Sequence, residues 1–514
     1  MMRRTTAAAL AACLALPALL PAQSFPHADP VIRRIWAQGM DSSQTYPLAQ
    51  VLMDSIGPRL TGTPQQRAAI DWALARYAAW GITARKEQYG TWNGWNRGHT
   101  HVDLIAPRVR TLEATMLAWS PGTNGKSVDG EVVIFPAVQS PAELDAWLKS
   151  VKGKYVLTSY PQPTCRPDDD WRQWAAPGSF ERMDSSRTRG LAAWNARFRS
   201  AGVTTRDLPG RLEAAGAAGV LTNNWSRGWG VDKIFNARTQ KVPTLNVSCE
   251  DYGLLYRMAE NNQHPRVRVN AQSERQGEVP VFNVVAEIKG TEKPNEYVML
   301  SAHFDSWDGG SGATDNGTGT VTMMEAMRIL KTVYPKPKRT ILVGHWSAEE
   351  SGLIGSGAFA ADHPEIVKGL HALFNQDNGT GRIQNVSGQG LVEAGAYIGR
   401  WFGRLPEELT RGINLSFPGS PASGGSDNAS FSCSGAPGFS LSSLSWNYST
   451  YTWHTNRDTF DKISFDDLKR NATLTAMLAY LASEDDAILP RDRREVARWP
   501  ECRTPARSSA ESTR

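Results

Sequence analysis

Four short polar clusters carry groups that can bind cations or move protons. They are His303-Phe304-Asp305-Ser306, with Asp315-Asn316-Gly317 twelve residues after the histidine; His345-Trp346-Ser347-Ala348-Glu349-Glu350; Asn375-Gln376-Asp377-Asn378-Gly379; and Trp453-His454-Thr455-Asn456-Arg457-Asp458. Taken singly, each has a structural explanation: a histidine at a strand end is usually a hydrogen-bond donor, Asp315 can cap a helix, Glu349-Glu350 can be a solvated turn, and Asp458 can pair with a base. Together they say more. The first three follow apolar runs of buried-strand type, Tyr297 to Ala302, Thr340 to Gly344 and Leu370 to Phe374, and open α/β sheets bind their ligands beyond the C-terminal ends of their strands. His303, His454, Asp315, Glu350 and Asp377 then converge on one rim. Two dications roughly 3.5–4 Å apart need a shared carboxylate and a shared hydroxide, and three carboxylates with one hydroxide neutralise two Zn2+. Mixed imidazole and carboxylate donors suit zinc, with cobalt or manganese as substitutes, better than magnesium or calcium. His345, His363 and His371 are read as structural.

The elements that must position these groups follow from periodicity. Val281 to Ile288 is a further buried-strand run, Gly317 to Val333 reads as a helix, and the alternation of strand and helix implies a mostly parallel mixed sheet sandwiched by helices. A closing helix starts near Ser464, with Asp467 placed for a capping box, and continues through Leu468, Leu474 and Leu478. The segment from about 25 to 109 reads as helical: Thr63 is an N-cap, Pro64 stands at N1, Gln66 completes a box, and Ile70, Leu74, Tyr77 and Ala78 share a face. From about 113 to 273 the texture changes to short β-like runs (131 to 135, 155 to 159), a Trp- and Arg-rich stretch (171 to 199) and the small-residue run 212 to 220. The expected organisation is a leader 1–24, a catalytic domain in two parts, 25–112 and 274–490, split by an inserted β-rich domain 113–273, and a polar, frayed tail 491–514.

Composition narrows the class. With 514 residues, 40% hydrophobic and 21% charged, and mean hydropathy −0.41, the chain is a multi-domain globular protein with no span expected in its mature form. Its 56 basic and 51 acidic residues give a net charge of +5 without a basic block, so nucleic acid is not an expected partner. Arg3 and Arg4, the Ala/Leu-rich run from Ala7 to Leu20 and the small residues that follow read as a secretory signal, giving a secreted or periplasmic protein. Cys13 leaves the alternative of a lipidated N-terminus open. Removing the leader leaves Cys165, Cys249, Cys433 and Cys502, and of the three possible pairings 165–249 with 433–502 is preferred.

The series His303-x-Asp305, Asp315-Asn316, Glu349-Glu350, Asp377 and His454 resembles the co-catalytic di-zinc exopeptidases that include bacterial leucyl aminopeptidase, glutamate carboxypeptidase and carboxypeptidase Q, and Ser306-Trp307-Asp308 is closest to the last group. The 212 to 220 run resembles part of the protease-associated domain that many of these enzymes carry. The resemblance implies that Asp315 bridges two zinc ions, that His303 and Asp377 complete one site and Glu350 and His454 the other, that Glu349 is the general base, and that the Asp305 carboxylate orients His303. It also implies that Asp427 lies in a substrate-side Ser-Asp loop, although Asn428 replaces the more usual His or Tyr. Tyr448 and Tyr451 are candidates either to donate to the oxyanion or to pack. The implied activity is peptide hydrolysis, with an aminopeptidase as the first reading and a carboxypeptidase Q-like dipeptidase as the alternative. A one-zinc glutaminyl cyclase is disfavoured by the full ligand set, and a metal-free receptor-like homologue by the absence of any substituted ligand. Specificity and oligomeric state stay open.

Overall fold

A computed structural model describes residues 27–421 and 424–494. The leader, Cys502 and the tail from residue 495 therefore lie outside the described residues. The centre of the molecule is built from strands whose residues are apolar or hydrogen-bonded on both faces, the pattern of a covered parallel sheet. Arg339–Trp346 and Leu370–Asn375 are buried at every position. They flank Lys293–His303, and all three run parallel, with Gly438–Ser443 parallel beyond Leu370–Asn375. Ile383–Ser387 then adds antiparallel, and Asn414–Ser416 closes that edge. One face is covered by the helices Thr318–Val333 and Phe465–Glu484, whose Met323, Met327, Leu474 and Leu478 interleave with Val298, Leu300 and Ile341 of the strands. On the opposite face Phe359 and Phe431 pack on Trp346 and Met299. Phe304, Ser347 and Gln376, each just past a strand end, stay buried, so the three C-terminal ends open on one rim.

The largest departure from the sequence reading is Thr83–Ala106, a 24-residue strand in a segment expected to be helical. It pairs antiparallel along almost all of Arg266–Ile288. Its Gly-, Asn- and His-containing sequence has weak strand propensity by itself, and a partner nearly 200 residues away supplies the ladder that stabilises it. The helix before it, Pro64–Ala79, matches the expectation: Thr63 Oγ1 accepts from Gln66 N at 3.2 Å, while the Gln66 side chain accepts from Gly62 N. Ala73 takes the buried place expected for Ala78, which is exposed.

Arg266–Ile288 runs through residue 273 without a break. Its first part pairs with Val128–Ile134 and its last with Arg339–Trp346, so the sheet of the middle segment continues the central one. In the middle segment Val128–Ile134, Tyr155–Leu157, Gly219–Thr222 and Thr244–Val247 are short parallel neighbours. They alternate with helices that include Ser179–Ser200 and Cys249–Glu260, over a core of Phe135, Tyr155, Trp194 and Tyr252. Cys165 is joined to Cys249, as expected; Cys433 is also disulfide-bonded.

Two end effects differ from expectation. Ser464 stands at the N-cap of the last helix but makes no side-chain cap bond, and Asp467 instead accepts from the Trp446 indole at 3.3 Å. Arg491, expected at the start of a frayed tail, is docked: its guanidinium donates to the carbonyls of Val367, Lys368 and Leu370. Those carbonyls end the short helix Pro364–Gly369, and carbonyls at a helix C-terminus attract a cation.

Candidate metal centre

The rim brings together all five expected ligands. His303 Nε2 lies 3.1 Å from Asp377 Oδ1 and 3.3 Å from Asp315 Oδ1. His454 Nε2 lies 2.9 Å from Glu350 Oε2 and 3.3 Å from Asp315 Oδ2. The two oxygens of Asp315 therefore face two different histidines, as a bridging carboxylate must. Glu349 has an oxygen within 4.8 Å of the donor atoms of both His303 and Asp377.

Each ligand is held by its own neighbours. The His303 strand ends in Thr320 Oγ1 donating to its carbonyl at 2.9 Å. The Asp315 turn is held from behind by Asp458, whose carboxylate accepts from Thr314 N at 2.7 Å and Asp315 N at 3.0 Å. Asp458 thus serves backbone N–H groups rather than the base expected from sequence. Asn316 ties the same turn to the Asp377 strand end by donating to the Gln376 carbonyl at 2.8 Å. Arg59 is wholly buried and was not singled out by sequence; its guanidinium donates to the carbonyls of Phe304, Ser311 and Gly312, each at 2.8 Å. Burial draws it down to about 10, against the pull of Asp458, Asp305, Asp315 and Glu350.

Asp305 corrects the sequence reading. His303 Nδ1 is 2.9 Å from the Asp305 main-chain carbonyl, while the carboxylate stands off at 3.8 Å. The carboxylate instead accepts from Glu349 N at 3.1 Å and Thr61 Oγ1 at 3.2 Å. It orients the general-base candidate, and its backbone orients the histidine.

The charges fit cations. Burial, then neighbouring Asp315, pushes the Glu350 carboxyl well above its ordinary range, and burial with Asp377 does the same to Glu349. Burial alone would raise Asp315, yet His303, His454 and the Tyr448 hydroxyl hold it low. Asp315 Oδ2, Glu350 Oε1 and His454 Nδ1 are buried without hydrogen-bond partners among the described residues. Crowded carboxylates with orphaned oxygens beside two imidazoles are the donor set of two transition-metal ions. Asp427 is buried, neither of its oxygens meets a hydrogen-bond donor among the described residues, and burial lifts it to about 7. The two tyrosines line one cavity of about 490 Å³, but only Tyr448 reaches the Asp315 carboxylate; Tyr451 packs against Gly228. The three histidines read as structural are occupied elsewhere: His345 pairs with the Tyr77 hydroxyl at 2.7 Å, His371 Nδ1 accepts from Leu489 N, and His363 lies between Glu87 and Glu365.

Residues 283–479, which hold every ligand, match the model of Peptidase family M28. The fold is that of zinc exopeptidases of family M28. A crystal structure of a peptidase M28 precursor from Shewanella amazonensis superposes with a TM-score of 0.65 at 25% identity, over 91% of this chain and 98% of the other. Carboxypeptidase Q of Rattus norvegicus is 24% identical over 454 residues, 88% of each chain. Leucine aminopeptidase 1 of Coccidioides posadasii is 31% identical over 216 residues, 39% of this chain and 55% of the other. With the M28 match, the two ligand groups His303/Glu349/Asp377 and Asp315/Glu350/His454 are candidate metal sites consistent with co-catalytic zinc.

Proposed function

We propose that the protein is an exported di-zinc exopeptidase of carboxypeptidase Q-like specificity, hydrolysing short peptides with both termini free. The observation that carries the chemistry is the pair of Asp315 oxygens facing His303 and His454. Similarity to carboxypeptidase Q extends across the middle segment, whereas similarity to the fungal aminopeptidase covers 39% of the chain, and this favours the dipeptidase over the aminopeptidase reading. The Cys165–Cys249 disulfide supports an oxidising compartment. A second core, drawn mostly from residues 112–271 with Leu60, Trp95, Val102, Leu104 and Trp307 joining it, supports an insert of protease-associated type.

His303, Asp377 and Asp315 would hold one zinc, and His454, Glu350 and Asp315 the other. Zinc at these positions supplies an acidified water and a polarised carbonyl. Glu349, with an oxygen within 4.8 Å of the donor atoms of His303 and Asp377, takes the proton and passes it to the leaving amine. Asp305 keeps Glu349 aimed through its main-chain N–H. The Tyr448 hydroxyl, held protonated by burial and the surrounding carboxylates, donates to the developing oxyanion. Asp427, buried beside this centre, would take the substrate ammonium.

A panel of free dipeptides, N-blocked dipeptides and aminoacyl-p-nitroanilides, with and without chelator, tests the reading. Hydrolysis confined to free dipeptides and abolished by chelator is expected. Efficient anilide cleavage sinks the dipeptidase assignment in favour of an aminopeptidase, and chelator-insensitive activity sinks the metal mechanism.

A further inference from the structure

Beside the Asp315 carboxylate lies a cavity of about 490 Å³, lined by Trp229, Val231, Thr314, Trp446, Tyr448 and Tyr451 among others. That volume is within the ~300–1,000 Å³ of small-ligand pockets. Its inner wall belongs to the site. Thr314 immediately precedes Asp315, and the Tyr448 hydroxyl reaches the Asp315 carboxylate. The Tyr448 ring lies over Gly379, two residues after Asp377, so closely that a Cβ there would stand 3.2 Å from it. A substrate whose scissile carbonyl meets the Tyr448 hydroxyl therefore has this cavity next to it.

The rest of the lining is mainly aromatic, and two of its indoles face solvent: Trp229 is 55% exposed and Trp446 60%, whereas tryptophan is mostly buried in folded proteins. Both are held in place. Trp446 and Asn447 are consecutive left-handed residues, at φ 45° and 55°, a conformation that costs free energy in a residue with a side chain and persists only where the surroundings enforce it. The enforcement is visible: the Trp446 indole donates to Asp467 Oδ2 at 3.3 Å, and Tyr448 N donates to Ser445 O at 2.7 Å across the turn. Trp229 comes from the middle segment, on a loop braced against the same wall. Gly228 approaches Tyr451 so closely that a Cβ would stand 2.6 Å from its ring, and Arg457 Nε donates to Gly230 O at 2.8 Å. The Arg166 guanidinium lies over the Trp229 ring at 5.2 Å.

We propose that Trp229 and Trp446 are walls of a subsite that selects an aromatic or large apolar side chain on a residue flanking the scissile bond. The proposal deepens, and rests on, the exopeptidase reading above. The charged lining residues set the class of side chain. Lys462 is paired with Asp461, and Arg457 with Glu113 at 3.0 Å. A lysine side chain entering the cavity meets two cations and, among the described lining residues, no carboxylate that is not already paired, whereas a ring gains burial and aromatic contact.

The test is kcat/KM on the zinc-loaded full-length protein for Phe-Ala and Lys-Ala, for Ala-Phe and Ala-Lys, and for Ala-Ala as the reference of both series, which together tell which side of the bond the cavity serves. In one series the wild type should prefer Phe over Ala by about tenfold, the range of a well-packed aromatic contact, with Lys the poorest. In the Trp229→Ala, Trp446→Ala double variant that ratio should fall towards one while metal content is kept. Trp229→Ala alone, at an exposed position that leaves the Trp446 turn intact, should lower it about threefold, and Trp446→Phe, which keeps an aromatic wall, should retain most of it. Trp174→Ala, on an exposed helix of the middle segment, should keep the wild-type ratio. Equal rates for Phe and Ala in both series, a Trp229→Ala enzyme with the wild-type ratio, or a double variant that loses every substrate in proportion overturns the subsite while leaving the exopeptidase reading standing. Failure of the wild type to cut any dipeptide overturns both.

Discussion

The two halves of the candidate metal centre are built differently. His303 ends its strand, paired in the ladder with Trp346, and Asp377 follows the adjacent parallel strand Leu370–Asn375 by two residues, just after Gln376, whose N donates to Ser301 O at 3.1 Å. His454 stands on a loop, at φ 60°, and is held by contacts from the middle segment. Ile234 N donates to His454 O at 2.8 Å, Asp232 N to Asn456 Oδ1 at 2.9 Å, and Asn456 N to Asp232 O at 3.0 Å. Phe235 packs edge-on to the His454 ring, and Trp453 stacks on it with Lys233 over the far face. The strand-borne half can fail only with the sheet. The loop-borne half can fail by itself, and the middle segment is what prevents this.

Asp315→Asn should break both halves at once, because one carboxylate serves both histidines: metal analysis should show both ions depleted, and turnover should fall by more than about a thousandfold. A variant retaining two metals per chain would refute the bridge. Glu349→Gln should distinguish chemistry from construction, keeping metal content while kcat falls about 10²- to 10⁴-fold, the usual weight of a general base. Asn456→Ala should separate the halves. With the sheet untouched, thermal stability should change little, but titration with a chelator should release one ion per chain about 10- to 100-fold more readily, as expected when a ligand's supporting contacts are removed. Equal loosening of both ions would mean that the two halves are not mechanically distinct.

The same contrast governs what was legible in the sequence. The strand-borne ligands could be read because an apolar run ending in His-x-Asp or Asn-Gln-Asp announces both a buried strand and its open end; Lys293–His303, Arg339–Trp346 and Leu370–Asn375 stand where those runs placed them. His454 follows no apolar strand run, and nothing local indicates that residues 230–236, more than 200 positions earlier, hold its loop. Arg59 carries no local signal for the same reason: a single arginine in a loop has no periodicity, and its importance lies in carbonyls more than 240 residues away. For Asp305, spacing cannot say whether the carbonyl or the carboxylate meets the imidazole, and it is the carbonyl. Thr83–Ala106 has no strand signature apart from its partner.

The strand-borne half should be attacked by acid only through the fold. His345 lies on the strand beside that of His303, paired in register with Ala302, and burial lowers it to about 3. A histidine in the unfolded chain takes up its proton near 6.5, whereas the folded one resists until about pH 3. The stability this group contributes is therefore complete above about pH 6.5 and is lost as pH falls towards 3, at up to about 1.4 kcal/mol per pH unit. Between pH 7 and 5.5 the loss from His345 should be about 1 kcal/mol, the smallest effect predicted here. Urea unfolding at the two pH values measures it in wild type and in His345→Gln, which should remove that share of the slope. Metal release from the strand-borne half should track the unfolding transition at each pH, while release from the loop-borne half in Asn456→Ala should precede it. Release of both ions ahead of unfolding would show that the sheet does not protect its own half.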